Sequence, residues 1–400
     1  MTRYPGNDSM AVRVGGAATL KQREIMEPLF YATALLCCYS YFLYPLILRL
    51  LPRRSAGEPT SQALPRFSLI ITVHNESARI GTKLQNTLEI DFPAELLEII
   101  VASDGSTDDT EAVVAGFADR GVRLVRADAR KGKEYAQFCA IREASGEILV
   151  FSDVATQIPP EALQKLAAAF SDARVGAVSS EDRIISQDGS VAGEGAYVKY
   201  EMWLRRLESD RAGLVGLSGS FFAARRRVCA DWDTSSPSDF NTALNCARLG
   251  LVAVSSPEVV GVYSDIANSA GEYARKVRTV IRGITALSRH PEALNPVRMG
   301  QFAFQVWSHK VMRWGVPWFM LAFLVLTLLL QGHGTVFRVA LALQAAFYLL
   351  AFAGWAVPKM RDVSIVRIIF FFVQTNLALA HAGILFLAGR RMVVWEPSKR

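Results

Sequence analysis

Cysteine is scarce in this chain and poorly placed for chemistry. Of the five, Cys37 and Cys38 lie inside an apolar run, and Cys139, Cys229 and Cys246 form no CxxC pair and have no histidine at metal-ligand spacing. Neither a disulfide framework nor a structural zinc site is expected. The glycine loops that cradle phosphates are also missing: there is no GxxxxGK[ST] and no GxGxxG after a strand-like run. No internal repeat or low-complexity segment stands out, so repeat architectures are not expected either.

What the chain has in excess is apolar sequence, gathered at its two ends. Hydrophobic residues make up 51% of the 400 residues, and the mean hydropathy is +0.21. Pro28 to Leu51 carries one charge near its end and is long enough to cross a hydrocarbon core of roughly 30 Å. Arg53 and Arg54 follow it in place of a cleavage site, which predicts a retained anchor over 28–51 behind a tail of 1–27. Pro52 to Pro65 has the composition of a linker, assigned to 52–64. Near the other end, Val316–Leu330, Val339–Val357 and Val366–Leu387 are three apolar stretches without a polar face, predicting about three spans within 314–389. Arg298 to Arg313 mixes Phe, Trp and basic residues, as an interfacial helix does, and marks 291–313 as an interfacial region. The remainder, 390–400, is a basic tail. The formal net charge of +7 suits nucleic acid, anionic lipid or a phosphorylated substrate equally and does not choose among them.

The middle of the chain differs in kind. Short apolar runs (Phe67–Val73, Leu97–Ala102, Glu147–Phe151, Val175–Val178) alternate with helical stretches such as Asp108–Arg120 and Pro160–Phe170. Such alternation predicts an α/β domain with a mostly parallel sheet and helices on both faces. Ligands of such sheets bind beyond the carboxyl ends of the strands. Acidic residues stand at three of those ends: Glu76 in HNE, Asp104 in SDGSTD, and Asp153 in SD. A phosphate site built from carboxylates points to a divalent ion as intermediary.

The runs FSLIITVHNE, EIIVASDGSTDDT, KGK and GEILVFSD, followed by GLSGSFFAARR, PSDF and ARKVRT, resemble the family 2 glycosyltransferases in order and approximate spacing. The likeness covers about residues 65–290. It implies a Rossmann-like fold of the GT-A type, flanked by N-terminal and C-terminal transmembrane helices. It also implies that Glu76 and Asp104 hold the nucleoside, and that Asp153 belongs to a DxD-type element binding diphosphate through Mg2+ or Mn2+. Lys133 would bring a cation near that diphosphate, the alternative being a solvated basic turn. Ser218, Gly219 and Ser220 match the acceptor-side loop. Asp239 matches the catalytic base, which takes a proton from the acceptor hydroxyl during inverting transfer. Each carboxylate has a local alternative. Glu76 and Asp239 suit a helix first turn, and Asp104 is a turn former, with Thr107 or Asp108 as the following N-cap.

Two departures from the family pattern matter. Ala155 stands where the second acid of DxD belongs, so Asp153 must share a metal with water, phosphates and another ligand. The QxxRW element reads Arg275-Lys276-Val277-Arg278-Thr279, keeping Arg278 for the leaving phosphates but losing Gln and Trp, which weighs against processive synthesis. On a helical wheel, Arg275, Arg278 and Arg282 form a basic face opposite Tyr273, Val277, Val280, Ile281, Ile284 and Leu287, expected to be solvated.

The expected activity is inverting transfer of a sugar from a nucleotide-linked, typically UDP-linked, donor to a hydroxyl of a lipid-linked or saccharide acceptor. Membrane lipid is an expected partner and nucleic acid is not. The rivals are a processive polysaccharide synthase and a non-catalytic membrane nucleotide sensor or assembly subunit. The resemblance places the chain in a bacterial inner membrane with residues 52–313 cytosolic, in agreement with Arg53, Arg54 and Arg313. Arg390, Arg391, Lys399 and Arg400 would then fall outside after four full spans, so one apolar segment is expected to be interfacial or re-entrant.

Overall fold

The computed structural model describes residues 8–55, 57–58, 63–185, 196–264 and 269–391. It divides into two units. One comprises Pro45–His309 with His381–Arg400, and the other Met1–Tyr44 with Lys310–Ala380.

The larger unit is built on seven strands: β1 (Phe67–Val73), β2 (Leu97–Ser103), β3 (Val122–Arg126), β4 (Ile148–Asp153), β5 (Val175–Ile185), β6 (Phe221–Arg225) and β7 (Val252–Ser264). Their order is β3-β2-β1-β4-β6-β5-β7. All pairings are parallel except those of β6, which runs antiparallel to both β4 and β5. Every residue of β1 is buried, which explains why it reads as a mainly apolar run with only Ser68 and Thr72 polar. Successive side chains serve opposite faces. Leu69 and Ile71 join one core with Ile80, Leu84 and Leu163, while Ile70 joins the other with Leu149, Phe151, Phe222 and Trp232.

Four helices position the site: α1 (Ser77–Leu88), α2 (Lys133–Glu143), α3 (Ser238–Arg248) and α4 (Ser269–Arg289). The expected strands and helices are all present. The run Val175–Val178 continues as strand to Ile185. Its partner β7 was hidden by Pro257. The register jumps from Ser179↔Ser255 to Glu181↔Val260, so the proline sits in a bulge where no ladder bond is needed.

The presumed linker is docked rather than free. Arg54 donates to Asp172 at 2.9 Å and to the Ser209 carbonyl at 3.1 Å, and Gly57 N–H donates to Asp172 at 3.0 Å. Residues 56 and 59–62 lie outside the described set.

Among the described residues, four helical stretches are long and apolar enough to cross a membrane: Arg23–Leu50, Gln301–His333, Thr335–Ala356 and Ser364–Leu387. Two boundaries differ from the expectation. The first helix already runs from Asp8, so most of the assigned tail is helical. The region 291–313 is not one interfacial helix. A short turn of helix, Pro296–Met299, capped by Asn295, is followed at Gln301 by the helix that continues into the second span. In the smaller unit Phe30 packs against Phe323 and Phe337, each at 5.0 Å between ring centroids. Lys399 and Arg400 of the basic tail lie outside the described residues.

Candidate active site

The register of the sheet brings the acidic strand ends together. β1 lies between β2 and β4, with Val73 opposite Ser103 and Thr72 opposite Asp153. The loops after β1 and β2 are laced to one another. Asn75, at φ +53°, donates its N–H to Ser106 Oγ at 3.1 Å, and its side-chain oxygen accepts the Thr107 N–H at 2.8 Å. His74 Nδ1 meets the Asp104 carbonyl at 3.0 Å. Asp108 accepts the N–H groups of Ser77 and Thr110, both at 3.1 Å, so it bridges two helix starts rather than capping one. Burial pushes its carboxyl up, but the Thr110 and Ser77 hydrogen bonds more than offset that and bring it down to about 2.

Each expected donor-side residue has a definite partner. Glu76, buried at the start of α1, is held by Arg79 through two bonds of 2.6 and 2.7 Å. Asp104, also buried, accepts the N–H groups of Lys131 and Gly132, with Gly132 shared between both oxygens, all at 3.0 Å. That clasp holds the turn before α2, where Gly132 takes φ +101°, a conformation costly for any residue with a Cβ. The next residue, Lys133, is buried. Its ammonium donates to Asp153 at 2.5 Å and to the Gly219 carbonyl at 2.7 Å. The solvated-turn alternative for Lys133 is thereby overturned, although Lys131 beside it is exposed, 4.2 Å above the Tyr135 ring.

Gly219 is the meeting point. It is exposed, and a Cβ there would meet nothing nearer than Asp239 Oδ2 at 3.8 Å. The fold itself therefore does not demand glycine at this position. Its neighbours are engaged: Ser218 donates to Asp182 at 2.8 Å, and the Tyr263 hydroxyl lies within hydrogen-bond distance of Ser220 Oγ at 2.7 Å and of Asp182 at 3.0 Å. Burial lifts the Asp182 carboxyl above its usual range and the Tyr263 phenol well above its own. Asp239 occupies the first turn of α3, where the helix dipole favours a carboxylate. Its Oδ1 accepts the Phe240 N–H at 2.9 Å, while no described residue donates to Oδ2.

Arg278 is half-buried on α4. Four residues on, Arg282 was expected on a solvated face and instead pairs with Glu134 at 2.5 Å, with only 13% of its side chain exposed. Glu134 follows Lys133, so this pair ties α4 to the start of α2.

Sequence reasoning missed Glu134, the Asp182–Tyr263 pair and Lys83. Lys83 lies on the apolar stripe of α1 with Ile80, Leu84 and Thr87. A lysine at a core position of an amphipathic helix was the signal available.

No cluster of three or more His, Cys, Asp or Glu side chains able to hold a metal exists among the described residues. Asp153 keeps one oxygen to which no described residue donates, and its side chain is 27% exposed. Mg2+ and Mn2+ are hard ions satisfied by one carboxylate oxygen with phosphate and water completing the shell. The donor set fits that mode and no closed protein cage.

A model of the family described as "Glycosyl transferase family 2" matches residues 68–232. Beta-monoglucosyldiacylglycerol synthase of Nostoc sp. is 25% identical over 186 residues, covering 44% of this chain and 40% of that protein. Poly-beta-1,6-N-acetyl-D-glucosamine synthase of Staphylococcus epidermidis is 26% identical over 181 residues, covering 43% of each. The chain thus matches less than half the length of these curated relatives. Among solved structures, a mannosyltransferase from Pyrobaculum calidifontis in complex with GDP-Man and Mn2+ superposes with a TM-score of 0.68 at 23% identity, covering 92% of this chain and 100% of that one. That likeness shows the GT-A fold. Residues 68–232, from β1 to Trp232, thus match the family 2 glycosyltransferases, on a fold of the GT-A type.

Proposed function

We propose that this chain is an inverting, metal-dependent glycosyltransferase that moves a sugar from a nucleotide donor, UDP-linked by family prior, to a hydroxyl of a lipid-linked or saccharide acceptor at the cytosolic membrane face. The observation that carries the reading is the convergence at Gly219. Lys133, paired with Asp153, donates to its carbonyl, and Asp239 Oδ2, with no described donor, lies 3.8 Å from where a Cβ on Gly219 would stand. Other carboxylates around the site are committed, Glu76 to Arg79, Asp104 to two backbone N–H groups and Glu134 to Arg282. Asp239 keeps an oxygen to which no described residue donates, beside the acceptor-side loop and paired with no cation among the described residues.

These positions support the following roles. Glu76 and Asp104 line the nucleoside end, and Asp153 would hold the divalent ion, whose chemistry is to neutralise charge developing on the leaving diphosphate. Lys133 and Arg278 add positive charge on the same side. An acceptor hydroxyl reaching the exposed backbone of Gly219 between Ser218 and Ser220 loses its proton to Asp239 as it attacks the anomeric carbon. Thr279 is exposed where the family's processive members are expected to carry Trp, and we read the product as short.

The test uses the full chain in detergent with labelled nucleotide sugars, membrane lipid extract and either Mg2+ or Mn2+. Asp239→Asn should bind donor as the wild type does and lose about a hundredfold to ten-thousandfold in turnover. EDTA or Asp153→Asn should weaken donor binding. Near-normal transfer by Asp239→Asn removes it from the mechanism, and absence of transfer by the wild type with every donor favours a nucleotide sensor.

A further inference from the structure

Lys83 is the least expected residue of the larger unit. It is 3% exposed and faces the core between Ile80 and Leu84. Burying an ammonium is costly, and a methionine of similar length would fill the position without that cost. Burial pushes its pKa down to about 7, with the negative charge of Asp153 acting in the opposite direction. A charge kept at such a position needs a reason.

The reason lies in what its ammonium holds. Lys83 Nζ donates at 2.6 Å to the carbonyl of Thr156, a fully buried residue three positions after Asp153. Thr156 is a junction. Its N–H returns to the Asp153 carbonyl at 3.2 Å, and its hydroxyl donates to the Ser220 carbonyl at 3.2 Å. The same Ser220 carbonyl accepts the Asp153 N–H at 2.9 Å. One turn on, Asn86 brackets Ile158 in both directions, at 3.0 and 2.9 Å. The buried face of α1 therefore clamps the whole turn from Asp153 to Ile158. Asn86 does so as a neutral amide, and Lys83 does so with a charge directed at the Asp153 end.

We propose that Lys83 is a positioning residue for the donor-side carboxylate: its buried ammonium fixes the turn carrying Asp153 and sets a positive charge behind it, opposite Lys133. Asp153 then lies between two cations. Lys133 contacts it directly, and Lys83 attracts it through the low-dielectric core, where a charge acts strongly. This inference rests on the reading of Asp153 as the diphosphate end of the donor site.

The experiment measures binding of UDP and GDP with Mn2+ to the full chain in detergent, below pH 7 where Lys83 is protonated, beside its thermal midpoint, for wild type, Lys83→Met, Lys83→Arg and Asn86→Ala. Lys83→Met should weaken nucleoside diphosphate binding about tenfold or more while leaving the midpoint unchanged or higher, because the cost of the buried charge is removed. Lys83→Arg should recover part of the affinity, and Asn86→Ala should lower the midpoint more than it lowers affinity. Wild-type affinity in Lys83→Met overturns the inference while leaving the donor site intact. A loss of affinity that merely tracks a fall in midpoint across all three variants also overturns it. Failure of the wild type to bind either nucleotide refutes the donor-site reading itself.

Discussion

The Arg282–Glu134 pair gives the sharpest energetic test of how the site is assembled. Arg282 is 13% exposed and Glu134 4% exposed, at an N···O distance of 2.5 Å. Removing one partner of such a pair leaves an uncompensated buried charge and typically costs about 3 to 5 kcal/mol. Arg282→Met should therefore lower the thermal midpoint by roughly 6 to 20 °C, at 2 to 4 °C per kcal/mol for a domain of this size. The double variant Glu134→Leu/Arg282→Met removes both charges and should recover to within about 1 kcal/mol of wild type, since an apolar pair of similar volume often replaces a buried ion pair without loss. Thermal unfolding of all four proteins, including Glu134→Leu, closes the cycle. Additive losses, with the double variant as unstable as the two single costs together, would refute the reasoning. Because Glu134 adjoins Lys133, Arg282→Met should also weaken nucleotide binding, and the double variant should not fully restore it.

Two further outcomes are expected. Asp104→Ala strands the Lys131 and Gly132 N–H groups, at about 1 to 3 kcal/mol each, and should lower both stability and nucleotide affinity, whereas Asp104→Asn, which keeps an acceptor oxygen, should cost less in stability. Lys83 titrates at about 7 in the folded chain against 10.5 when exposed, so between these values the unfolded chain holds a proton that the folded one has released. Stability then rises with pH across that window. The melting advantage of Lys83→Met over wild type should be largest at or below pH 7 and shrink by pH 9, and an advantage that does not change with pH would contradict it.

Much of the fold was legible because buried parallel strands leave a plain signature. Phe67–Val73 and Ile148–Asp153 are covered on both faces, so they carry no charge and only small hydroxyl residues before Asp153 at the end of β4, and the carboxylates at and just beyond the strand ends stand out against the run. The signal fails where the ladder is irregular. β7 carries Ser255, Ser256, Pro257 and Glu258 in mid-strand, and only the bulge against β5 makes that sequence compatible with a sheet. Composition is likewise silent on where 52–64 rests, since the Pro, Ser and Gly content of a linker says nothing about Arg54 reaching Asp172, 118 positions along the chain.

The misjudged charges share one physical cause. A helical wheel reports which face a residue occupies, and treats a basic face as solvated because an isolated buried cation is too costly to contemplate. Whether it is buried depends on a partner the wheel does not contain. Arg282 finds its carboxylate 148 positions away, Lys83 its carbonyl 73 away, and Lys133 one of its acceptors 86 away. All three partners lie where the sheet's crossovers converge, at the ends of β1, β2 and β4 or on the loops packed against them. Isolated acids such as Asp239 could be matched by motif because their role needs only a position on one helix turn. The lysines and Arg282 acquire theirs only from the topology, which is why a site read as three carboxylates in sequence becomes, in three dimensions, a set of carboxylates each held by a cation or backbone N–H, with one oxygen of Asp153 and one of Asp239 that no described residue engages.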